Sequence, residues 1–127
     1  MRIYCAVTRT ELELFKNQGG IESEVVSALT MFAQTPQWVA VQEESDPEVL
    51  DDEILQQCAA AGDVPGFVIV AEVTDQQITD LNPGQGLVQA SSPIRLKDVA
   101  AFFQVAQIGE LSWFGPTELP VLLDLGQ

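Results

Sequence analysis

Hydroxyl and guanidinium groups come together at two places in this sequence, Thr8-Arg9-Thr10 near the start and Ser91-Ser92 with Arg95 just beyond. Such groups hold oxyanions, the guanidinium through charge-assisted bonds and the hydroxyls through single ones. If the strands preceding them run parallel, both sets emerge at strand C-termini, where open α/β sheets usually bind ligands. Free amides at a helix start after Thr10 would add positive potential. A plainer account competes: Thr10 serves as an N-cap, and Arg9 is one charge among nineteen acidic residues.

Other chemistry is narrower. The chain has no histidine, so a Ser-His-Asp or Cys-His nucleophile and a histidine metal site are impossible. Gly19-Gly20 follows a helix and Gly84-Gln85-Gly86 precedes a strand, the wrong contexts for a phosphate loop. Glu44, Glu48, Asp51 and Asp52 recur at helical spacing and could offer oxygen ligands to Mg²⁺ or Ca²⁺. An acidic first turn that complements the helix dipole explains them more simply, so no metal or cofactor is expected. Cys5 and Cys58 are far apart in apolar settings and read as reduced core residues. Trp38, Trp113 and Phe114 lie beside turns, where aromatics anchor protein interfaces or simply close a core.

Charge restricts the partners. Nineteen acidic against five basic residues give a net charge of -14 over 127 residues. Lys16, Lys97, Arg2, Arg9 and Arg95 cannot form the basic stripe that nucleic-acid binding needs. No window approaches a membrane span and the N-terminus has no signal-peptide core, so a cytoplasmic location is expected.

The elements that must position these residues follow from periodicity. Phe67 to Ala71 is an apolar run without alternation, the pattern of a strand covered on both faces. Arg2 to Val7 reads as another strand, followed by a helix that starts at a Thr10/Glu13 capping box and stops at Gly19-Gly20. Ile21 to Ala33 is ambiguous, with a strand favoured from about Val25. Thr35-Pro36 opens a short helix; Ser45 or Asp46 opens a longer one that buries Leu50, Ile54, Cys58 and Ala61 and ends at Gly62. Thr74 to Leu81 reads as one or two helical turns, Gly86 to Ser91 as a strand, Leu96 to Asp98 as a helical turn, and Val99 to Ala106 as either helix or strand. Glu110 to Phe114 then leads to a closing helix, capped by Thr117, that docks through Val121, Leu122 and Leu125.

Met1-Arg2-Ile3-Tyr4, Thr10-Glu11-Leu12, Phe32-Ala33-Gln34-Thr35-Pro36, Leu96 to Phe102, and Trp113-Phe114 followed by Glu118-Leu119 together resemble a family of short, uncharacterised actinobacterial proteins. In that family a histidine and aspartates tend to follow the apolar pair, where this chain has Phe103-Gln104-Val105-Ala106. The resemblance implies that Val99 to Val105 is a short turn entering a strand. It implies no function.

The alternation of strands and helices predicts one acidic domain over residues 1–127, α/β or α+β. Crossover connections imply a single, mixed and partly parallel sheet of about four to five strands, covered by helices. The functional expectation is a non-catalytic cytosolic interaction domain that binds a protein partner or itself. The alternative is a small-molecule or anion-binding protein, or a weak enzyme, using Thr8, Arg9, Thr10, Ser91, Ser92 and Arg95 at the strand ends.

Overall fold

In the computed structural model, which describes residues 1–125, β1 (Arg2–Val7) is the middle strand of a 7-stranded sheet. On one side it pairs with β3 (Thr30–Ala33), then come β6 (Leu87–Ala90) and β5 (Ile78–Asn82). On the other side lie β4 (Gly66–Glu72), β8 (Val99–Gln107) and β9 (Glu110–Phe114). A separate 2-stranded ribbon joins β2 (Gly20–Ile21) to β7 (Ile94–Arg95).

Every pairing is antiparallel, which corrects the expected mixed sheet and its strand number. The crossover itself is present. α3 (Pro36–Ala40) and α4 (Pro47–Ala61) carry the chain from β3 to β4, and those two strands do run in the same direction. β1 is inserted between them and pairs with both, so the parallel strands never touch. The additional strands come from hairpins. β5, read from sequence as helical turns, pairs with β6, and β9 returns against β8 through Ile108-Gly109, with Gly109 at φ 87°.

Side-chain caps start two of the helices. The Thr35 hydroxyl accepts the Trp38 amide hydrogen at 3.1 Å, and Asp46 accepts that of Glu48 at 3.0 Å. α1 (Arg9–Gln18) begins earlier than the sequence suggested: Thr8, not Thr10, is its N-cap residue. It stops where expected, on Gly19 at φ 76°. α2 (Ser23–Val26) takes up part of the stretch expected as strand. After a 3-10 turn over Pro116–Glu118, α5 (Leu119–Leu125) buries Leu122 and Leu123 but leaves Val121 exposed. The contact expected of Leu125 falls outside the described side chains.

The sheet separates two cores. Ile3, Cys5 and Val7 of β1 face α1, α5 and the β2–β7 ribbon, where Phe15 meets Phe102 edge-on at 5.8 Å. Tyr4 faces the opposite way, towards Trp38 and the α4 residues Leu50, Ile54 and Cys58. Each large side chain buried here contributes about 1.5–3 kcal/mol as an upper estimate. α4 packs on β3, β1 and β4. Beyond it, Phe103 and Leu111 on β8 and β9 are only half-buried, and this is where a groove opens.

Candidate functional site

Two-residue periodicity places Arg2 and Tyr4 on the α4 side of β1, at the end where β4 finishes in Glu72. Arg2 Nε donates to Glu72 Oε1 at 2.8 Å, and this bond raises the guanidinium pKa further. Asp51 on α4 reaches down towards the same residues and accepts from Gln34 Nε2 at 2.5 Å. Burial, with the nearby Asp51 charge adding to it, pushes the Tyr4 phenol up to about 12. Tyr4 is therefore a neutral donor at physiological pH.

Arg2, Tyr4 and Asp51 border two adjoining cavities. One, of ≈ 500 Å³, also reaches Gln34, Glu72 and Asp75. The other is a groove of ≈ 410 Å³ whose apolar floor is Leu55, Val70, Ala101 and Phe103. Asp51 and Asp52 form one rim, and Trp113 stands on the other. Register explains the tryptophan: Trp113 is opposite Phe103 and shares its face, whereas Phe114 is opposite Phe102 and turns into the α1-side core. Trp113 is 61% exposed. With Arg2 already offset by Glu72, the carboxylates of Asp51 and Asp52 leave the groove negative. Its chemistry suits a group with an apolar body and a positive head, held by carboxylates and by the indole face.

The residues expected from sequence are distributed differently. Trp38 is in the α4-side core, with its indole N–H on Gln57 Oε1 at 3.1 Å. Thr8, Arg9 and Thr10 sit at the start of α1; the Thr8 hydroxyl donates to Glu11, and Arg9 pairs with Glu13 and donates to the Leu123 carbonyl of α5. Ser92 and Arg95 line a cavity together, and Ser91 is next to it with its amide on the Gln77 carbonyl. Arg95 pairs with Gly20, past the far end of α1, so a ten-residue helix of about 15 Å separates the two basic groups. The groove residues Tyr4 and Phe103 were missed, and Asp51 was weighed only as a metal ligand; the alternation of β1, which sets Arg2 and Tyr4 on one face, was the available signal.

Cys5 and Cys58 are buried on opposite sides of the sheet. Burial pushes Cys5 up to about 12 and raises Cys58 as well, so neither is a thiolate nucleophile at neutral pH. Among the described residues no three His, Cys, Asp or Glu side chains converge on a metal position, and no helix is long and apolar enough to cross a membrane.

Comparison with known proteins places the chain. The model of a family of unknown function, DUF6912, matches residues 1–107. The chain belongs to that family. The match runs from β1 through β8 and so includes Arg2, Tyr4, Asp51 and Phe103, while Trp113 lies beyond it. No curated protein matches. The chain is also similar to the X-ray crystal structure of protein CC0527 from Caulobacter crescentus, at 15% identity and a TM-score of 0.53, over 98% of this chain and 99% of that one. That likeness concerns the fold alone.

Proposed function

We propose that this protein is a non-catalytic cytosolic binding domain whose groove between α4 and β8–β9 takes a basic, partly apolar segment of a partner protein. The observation that carries the reading is Trp113, a large aromatic side chain 61% exposed beside an apolar floor and across from Asp51 and Asp52. Aromatic residues of this kind anchor interfaces because they bury much area at little entropic cost. A lysine or arginine stem lies along such a floor while its head meets carboxylates and an indole face. A net charge of -14 favours a basic partner over a second copy, which would bring equal charge to the interface.

The test is a panel of short amphipathic peptides with basic, neutral or acidic polar faces, titrated by calorimetry. Basic peptides should bind and weaken as salt rises. Trp113→Ala should reduce affinity about tenfold or more, and Asp51→Asn with Asp52→Asn should remove the preference for basic peptides. Equal binding of acidic and basic peptides would sink the proposal, as would no binding at millimolar peptide. A stable dimer in size-exclusion chromatography that Trp113→Ala dissociates would instead assign the groove to a second copy.

A further inference from the structure

Arginine and lysine are scarce here, so their engagement is informative. Arg2 is held by Glu72 and Arg9 by Glu13. Lys16, Arg95 and Lys97 form no ion pair among the described residues although the chain carries nineteen acidic side chains, and of these Arg95 and Lys97 are neighbours. Both line one open cavity of ≈ 570 Å³, between the end of β4 and the segment that runs from β6 to β8. Ser92 lines it too, and its hydroxyl oxygen is buried without a hydrogen-bond partner among the described residues. A buried hydroxyl left unpaired costs free energy, which a bound acceptor would recover. Of the carboxylates that border this cavity, Glu72 accepts from Arg2, whereas Asp98 Oδ2 accepts only the Arg95 amide hydrogen at 3.4 Å, so one carboxylate without a cationic partner stands beside the two cations. Pro93 and the 3-10 turn over Leu96–Asp98, whose first amide bonds to the Gly19 carbonyl at 2.9 Å, fix the basic segment against α1.

We propose that Ser92, Arg95 and Lys97 form a binding site for the oxyanion of a small phosphorylated ligand. The guanidinium and ammonium supply charge, and the Ser92 hydroxyl donates a single directed bond. The volume exceeds what inorganic phosphate needs and leaves room for the organic part of a phosphorylated ligand. Arg9, at the other end of α1, takes no part. The site is independent of the groove beside α4, and its failure would leave that reading untouched.

Thermal unfolding at constant ionic strength tests it, with sodium chloride exchanged stepwise for inorganic phosphate or glycerol phosphate and amide NMR shifts recorded in parallel. Both phosphates should raise Tm saturably above the chloride control, glycerol phosphate at the lower concentration, with amide shifts centred on Ser92 to Asp98. Arg95→Gln with Lys97→Gln should weaken binding about tenfold or more, and Ser92→Ala by a smaller factor. Arg9→Gln should respond as the unsubstituted protein does. The site is refuted if phosphate and chloride raise Tm equally, if the double variant still responds, or if the shifts centre on Thr8 to Thr10. Should the double variant not fold, Lys97→Gln alone, exposed in the structure, decides by the same shifts.

Discussion

Tyr4 shows how one position serves both core and site. It belongs to the hydrophobic cluster beneath α4 and also borders both cavities. Burial pushes it up to about 12 from an ordinary phenol value of 10.0, and pushes Cys5 up to about 12 from 9.0; Cys58 rises in the same direction. Each group therefore holds its proton more tightly folded than unfolded. The stabilisation is complete below the unfolded values and is lost as pH climbs from 9.0 or 10.0 towards the folded ones. Urea midpoints should thus be level through neutral pH and fall in the alkaline range, and Tyr4→Phe should make the fall shallower. A midpoint that rises up to about pH 11 would contradict this assignment of burial.

At the level of elements, Gly86 joins the β5–β6 hairpin to the rest of the sheet. It has φ +74°, and its carbonyl accepts the Ala33 amide hydrogen at 2.9 Å. A Cβ there would come within 2.9 Å of the Ala33 carbonyl oxygen and 3.2 Å of both Ile54 and Trp38 side-chain carbons. Gly19 has a similar φ of +76° with nothing within 4 Å. Gly19→Ala should therefore cost about 1–2 kcal/mol for the left-handed backbone alone, and Gly86→Ala clearly more. Chemical denaturation of both variants measures the difference; equal costs would mean that the close approach at Gly86 relaxes freely. Local signals of this kind were legible in the sequence: Thr35-Pro36, Asp46-Pro47, the Gly19 stop and the strand at Phe67 all held. β5 was not legible because Thr79, Asp80 and Asn82 give an exposed edge strand no apolar face to display. Sheet order was hidden for another reason. The insertion of β1 between β3 and β4 depends on pairings across the chain that local periodicity does not encode. The candidate sites divided in the same way: the sequence singled out Trp113, Ser92 and Arg95, and the structure sets them on the borders of cavities. Their true neighbours, Phe103 and Lys97, follow only from register and from the path after Pro93.

For the molecule as a whole, charge is the dominant global property, and its two consequences have opposite signs. A surface at -14 repels itself in the folded state more than in an expanded chain, so screening stabilises the fold. The contacts proposed for a basic partner are attractive and exposed at the rim, so the same screening weakens them. Because the Debye length falls to about 8 Å near physiological ionic strength, most of both effects should appear within the first few tenths molar of salt. Sodium chloride should therefore raise Tm while lowering the affinity for basic peptides over that range. Phosphate at matched ionic strength should add a further rise that depends on Arg95 and Lys97. A Tm that falls with moderate chloride would mean that local ion pairs, such as Arg2 with Glu72 and Arg9 with Glu13, outweigh the global repulsion. Exposed pairs of this kind contribute about 0.2–1 kcal/mol each, too little to reverse the trend expected from fourteen unbalanced charges.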